Sequence, residues 1–187
     1  MKKLSLVSVL IFFLAVALNA QTNVSHNITV TIPSYAMVGL SSTGDITLAP
    51  TAPENAGEAL DFSSATNNTK YLQYSSILNN GSSSNTISVS MTENGTSLPA
   101  GVTIELETAK NSVGGKGNRG TGVDTPVVLS TTEGKEIVTG IKNGYTGTGA
   151  SGHLLTYSLK MTDTDASYSA LTSDNFSVTI TYTITAE

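Results

Sequence analysis

Two stretches of the chain fit the glycine fingerprint G-x-G-x-x-G: Gly115-Lys116-Gly117-Asn118-Arg119-Gly120 and Gly147-Thr148-Gly149-Ala150-Ser151-Gly152. In a dinucleotide-binding fold such glycines lead a strand into a helix, whose N-terminus then holds the pyrophosphate. Here both runs lead into strand-like sequence, so they are read as two glycine-rich surface loops. The first, "NSVGGKGNRGTG", also fits a loop without fixed structure. It carries Lys116 and Arg119, two of only 9 basic residues. Long loops on a rigid β scaffold often bear binding groups, which makes these two side chains candidate ligand contacts.

The segment "TDTDASYSALTSDN" gathers Asp163, Asp165 and Asp174 beside Asn175. Hard oxygen ligands of this kind suit calcium. The D-x-D-x-D-G order of an EF-hand loop is missing, however, and a solvated acidic turn accounts for the same residues. Calcium at Asp163, Asp165 and Asp174 is the one cofactor the pattern leaves open.

Catalysis finds less support. The two histidines, His26 and His153, are far apart, and no G-x-S-x-G elbow accompanies them. His26 falls on the apolar side of an alternating segment, and His153 opens a strand after a glycine loop. Glu105 and Glu107 share a strand face, as a glycosidase pair would, but alternating outward glutamates are also ordinary surface. The chain is expected not to be an enzyme. There are 7 tyrosines and no tryptophan. Tyr71 and Tyr145 are the tyrosines expected at the surface, where an aromatic ring can stack on a sugar. With Lys116, Arg119 and His153 they complete the candidate ligand-binding set. The outward threonines of the two end segments would suit ice, and equally an ordinary strand surface.

These residues must be positioned by a β fold. No part of the chain after residue 20 sustains a helical apolar period, whereas period two recurs throughout. Val24, His26, Ile28, Val30 and Ile32 alternate with polar residues until Pro33. Short pieces follow at residues 37–40 and 45–48, and then a proline-punctuated loop, "APTAPENAGEAL". "TKYLQYSSIL" and "TISVSM", joined by the turn-rich "NNGSSSN", read as a hairpin. "PVVLS" and "EIVTGI" read as a second pair about "TTEGK". "GVTIELETA" and "HLLTYSLKM" each present one apolar face. "FSVTITYTIT" closes the series with Phe176, Val178, Ile180, Tyr182 and Ile184 on one side. The count is roughly nine or ten strands, which predicts an all-β, antiparallel β-sandwich, immunoglobulin-like or jelly-roll-like.

Met1-Lys2-Lys3, the apolar run Leu4–Leu18 and the small residue Ala20 have the layout of a secretory signal peptide cleaved after residue 20. The run is shorter than the roughly 20 apolar residues a membrane span needs. Residues 1–20 are therefore expected to be a signal peptide and residues 21–187 one β-sandwich domain. Of the 9 basic residues, Lys2 and Lys3 leave with the leader, so 7 face 14 acidic residues in the exported chain. That balance disfavours nucleic acid, and no polybasic patch remains to attract an anionic membrane. With 0 cysteines there are no disulfides, and an ordinary apolar core must hold the fold.

Several phrases resemble a loose group of small secreted proteins of Bacteroidetes: Ala20-Gln21, "LAPTAPENAGEAL", "KYLQYSSIL", "LPAGVTIELETA", "GYTGTGASGHLLTYSL" and "VTITYTIT". The resemblance covers most of the exported chain and implies no particular activity. More remotely, the closing strand is similar to the ends of fimbrial and spore-coat-U-type sandwich subunits. The expectation is an exported structural or adhesive protein of the bacterial surface or periplasm, of which a fimbria-like subunit is one form. Its partners would be protein, by self-assembly or at a surface, or glycan. The alternative is a carbohydrate-binding module acting through the glycine-rich loops. After leader cleavage no membrane insertion is expected.

Overall fold

Alternating apolar residues stabilise a strand only when a neighbour accepts its ladder, so pairing decides the architecture. The computed structural model describes residues 23–186. The expected leader, residues 1–20, lies outside them. The chain divides into two units between Ile32 and Pro33. In the first unit, residues 23–32 form no strand, although their alternation predicts one. Val24, Ile28, Val30 and Ile32 stand 75–98% exposed.

The second unit is all-β and antiparallel, as the periodicity predicts. Its strands are β1 (Tyr35–Leu40), β2 (Thr66–Ile77), β3 (Asn85–Glu93), β4 (Val102–Thr108), β5 (Lys116–Gly122), β6 (Val127–Val128), β7 (Lys135–Tyr145), β8 (His153–Met161) and β9 (Val178–Ala186). A five-residue helix, α1 (Asp165–Ser169), precedes β9. Its N-cap is Thr164, whose side chain accepts a hydrogen bond from the Ser167 N–H. The nine strands are linked as one sheet in the order β6-β4-β8-β2-β7-β3-β9, with β1 also on β2 and β5 also on β7.

β2 is the joint of this sheet. Its first half pairs with β8 through Leu72↔His153, and its second half meets β7 at Ser75↔Tyr145. Inward side chains from both sides of the joint meet in one core. Ile87, Val89, Ile137, Val138 and Ile141 come from β3 and β7, and Ile104, Leu106, Leu155 and Tyr157 from β4 and β8. Burying each such side chain stabilises the fold by about 1.5–3 kcal/mol relative to exposure. The Tyr157 hydroxyl on β8 also hydrogen-bonds the Tyr182 hydroxyl on β9, four places away in the strand order. The sheet therefore curls over its own core.

Several local expectations are corrected. β2 and β3 do not form a hairpin with each other: β2 pairs with β1, β7 and β8, and β3 with β7 and β9. β6 and β7 do not pair either, since β6 docks on β4 through Leu106↔Val127. Residues 45–48 form no strand, yet Ile46 and Leu48 pack on the core. The glycine-rich segment taken for a loop contains β5, paired along β7 from Lys116↔Tyr145 to Gly122↔Val138. Ladder bonds, not side-chain burial, hold that strand.

Candidate functional site

The clearest unsatisfied feature is the edge of β9. Nine consecutive residue pairs, without a bulge, join it to β3. One step beyond them, the Asn94 N–H donates to the Ser177 carbonyl at 2.9 Å. Antiparallel partners alternate between bonded and non-bonded pairs. The main-chain groups of Thr179, Thr181, Thr183 and Thr185 therefore point at β3. Those of Val178, Ile180, Tyr182 and Ile184 point to the opposite edge, where no strand pairs among the described residues. Their side chains are half-buried and pack against the core. Sheet edges are usually guarded by lysine, proline, a bulge or a cover. The sequence VTITYTITA of β9 holds no charge and no proline.

Beside this edge runs a groove of about 880 Å³, lined by Ile46, Leu98, Ile104, Leu159, Phe176 and Ile180 among others. The Tyr157 and Tyr182 rings also line it. Burial pushes both hydroxyls above the usual phenol range, so they stay protonated. Lys70 lines the same groove, but its ammonium is spent internally, donating to Ser42 O at 3.1 Å, to Ser42 Oγ at 3.0 Å and to Gly44 O.

A second surface brings together three of the expected ligand contacts. Along β2, Tyr71, Gln73 and Ser75 alternate with buried Lys70, Leu72 and Tyr74. Tyr145 is paired both with Ser75 and with Lys116 of β5, so Tyr71, Tyr145 and Lys116 share one outer face. Met37 and Tyr35 of β1 join this face opposite Ser75 and Ile77. Tyr35 is 45% exposed, Met37 66% and Tyr145 46%. Tyr35 and Met37 escape sequence reading because their exposure follows from β1 pairing only with β2. From Tyr71 to Ser75 the strand advances about 13 Å, the length of a short oligosaccharide.

His153 does not join them, and its expected role as a surface contact is corrected; Arg119 is half-buried and lines a separate cavity with Asn118, Thr121 and Lys142. His153 is wholly buried because β8 starts inside the sheet. Its Nδ1 lies 2.7 Å from the Ala109 carbonyl and its Nε2 2.7 Å from the Tyr74 hydroxyl, with the two rings stacked at 5.7 Å. A carbonyl only accepts, so Nδ1 carries the proton. Burial holds the imidazole below its ordinary pKa, and Arg119 lowers it further. The Arg119 guanidinium donates to Ser112 Oγ at 2.9 Å and to the Gly114 carbonyl, and its own carbonyl competes with His153 Nε2 for the single proton of the Tyr74 hydroxyl. His153 thus meets a hydroxyl and a carbonyl rather than a carboxylate.

The acidic residues are also dispersed. Asp163 precedes α1, Asp165 opens it, and Asp174 lies in the following loop, where its carboxylate accepts from the Asn175 N–H at 2.7 Å. Among the described residues, no three His, Cys, Asp or Glu gather as a metal would require. Neither glycine fingerprint opens an α-helix: the first is strand β5, and the second ends in a three-residue 3-10 turn, Gly149–Ser151, before β8. No helix among the described residues is long and apolar enough to cross a membrane. Comparison with protein-family models gives no match, and comparisons with curated proteins and with solved structures give none either.

Proposed function

We propose that this chain is an exported structural or adhesive protein of the bacterial surface or periplasm, and that it works by joining protein chains edge to edge. The observation that carries the reading is the uncharged, unpaired edge of β9 beside an apolar groove. Such an edge is a template for a further strand, because its free N–H and C=O groups gain partners and its apolar side chains gain cover. In this reading the leader-like residues 1–20 direct export, and the curled antiparallel sheet is the carrier of the edge.

The test is the size of the processed protein by light scattering across a range of concentrations. Growth in mass with concentration supports the reading. A monomer at every concentration, with no protein partner, overturns it. A second reading rests on the shared face of Tyr71, Tyr145 and Lys116: a flat aromatic platform for glycan, with sugar rings stacked on the tyrosines. A glycan array, with Tyr145→Ala as control, separates the two.

A further inference from the structure

The tyrosine face of the second reading ends in positive charge. We propose that this face binds an acidic polysaccharide, one that carries uronate or sulfate groups. Its sugar rings lie on Tyr71 and Tyr145, and its acid groups meet the corner between β5 and β7. The inference rests on the glycan reading and names its ligand class.

Strand pairing sets the geometry. Met37 pairs with Ser75, Ser75 with Tyr145, and Tyr145 with Lys116. Four strands thus place one row across the outer face, and its three inter-strand steps span about 14 Å. The row runs from an exposed methionine through an exposed ring to an exposed ammonium. Paired residues have Cβ atoms about 5 Å apart, so one sugar residue can lie on Tyr145 and set its acid group against Lys116. Beside this row the register of β5 on β7 shifts between Gly117 and Arg119. A cavity of about 370 Å³ lies there, lined by Gly117, Asn118, Arg119, Thr121 and Lys142 among others, with no Asp or Glu on its walls.

Charge sets the ligand class. After residue 20 the chain holds 7 basic residues, and three of them, Lys116, Arg119 and Lys142, gather at this corner. Elsewhere Lys110 pairs with Asp124 at 3.8 Å, Lys135 pairs with Glu133 at 2.6 Å, and Lys70 is buried. Among the described residues no carboxylate forms an ion pair with Lys116, Arg119 or Lys142. The hydrogen bonds of the Arg119 guanidinium go to a hydroxyl and a carbonyl, which leave its charge uncompensated. β5 holds no acid, and the one acid of β7, Glu136, is about 20 Å along the strand from Lys142. The same part of the chain carries 14 acidic residues. A polyanion is therefore repelled by the molecule as a whole and is held only where positive charge is concentrated.

The test is isothermal titration calorimetry of the processed protein against two matched pairs: polygalacturonate with its methyl ester, and dextran sulfate with dextran. The acidic member of at least one pair is expected to bind more tightly than its neutral partner, and to weaken as added salt shortens the Debye length. K116Q combined with K142Q changes two exposed side chains. It is expected to keep the melting temperature and to weaken acidic binding by about 2- to 30-fold. Y145A is expected to remove the binding. Equal affinity within both pairs overturns the inference and leaves the glycan reading in place. An acidic preference that survives K116Q/K142Q overturns it too, since the charge that acts then lies elsewhere. Acidic binding that survives Y145A but is lost with the two lysines overturns both, because charge alone then suffices. No binding within either pair overturns the inference, and a glycan array without a hit then overturns the glycan reading as well.

Discussion

Lowering the pH from 7 to 5 is expected to destabilise the fold through one residue, His153. The imidazole is fully buried, and its desolvation holds the pKa below the ordinary value. In the unfolded chain it titrates near 6.5. Between the folded and unfolded values the unfolded state binds the extra proton, so stability falls as pH falls. The His153 contribution is whole above about pH 6.5 and is lost progressively below it, down to the folded pKa. One proton sets the steepest slope at about 1.4 kcal/mol per pH unit. For a domain of this size about 1 kcal/mol shifts the melting temperature by 2–4 °C, so a fall of roughly 3–5 °C per unit is the ceiling. Glu58, Asp61, Glu93 and Glu133 are held below their usual values by hydrogen bonds from Asn55, Ser63, Ser97 and Lys135 respectively. Their contributions are lost only as pH falls through the carboxylate range, so the interval from 6.5 to 5 isolates the histidine. The assay is the melting temperature across that interval for the parent and for His153→Gln, which is expected to be flat. A parent curve that rises as pH falls would refute the reasoning. The imidazolium would then be the native form, with Nε2–H donating to Tyr74 and the Tyr74 hydroxyl donating to the Arg119 carbonyl.

Other substitutions probe the parts of the scaffold separately. Gly115 has φ +90°, and an added Cβ would stand 1.9 Å from the Tyr145 carbonyl. Gly115→Ala is therefore expected to cost at least 1–3 kcal/mol in urea unfolding and to raise amide exchange in β5. Leu155→Ala removes a wholly buried side chain at the centre of the core and is expected to cost about 2–5 kcal/mol, read as a lower urea midpoint at constant slope. Tyr145→Ala, on the exposed face, is expected to change stability by no more than about 0.5 kcal/mol and to remove any glycan signal seen with the parent.

The strands whose inward positions are large and apolar were legible one by one. β3, β4, β8 and β9 lie within a residue or two of where alternation puts them, because a face that must be buried sets its own period. Their partners were not legible. β2 meets β8 across some eighty residues, and β6 meets β4 rather than the neighbouring β7. Nothing in a local pattern records which distant edge accepts a ladder. The candidate site divided in the same way. Parity along β2 places Tyr71 on an outer face, but only the Ser75↔Tyr145↔Lys116 pairing brings the other two residues to it. His153 was misread for the opposite reason: a glycine loop before a strand suggests exposure, whereas β8 enters the sheet at once and buries its first residue.

Two segments invert the usual rule, and they do so together. Lys116–Gly122 has the composition of a loop and is a strand. An added Cβ at Gly117 would stand 2.3 Å from the Asn143 carbonyl, so glycine is what lets β5 approach β7. Residues 24–32 have the composition of a strand and form none. Side-chain pattern states which face a strand would bury, and a partner edge decides whether the strand exists. β5 has its edge in β7, inside the chain. Residues 24–32 have no partner strand among the described residues, and their alternation alone does not make them one.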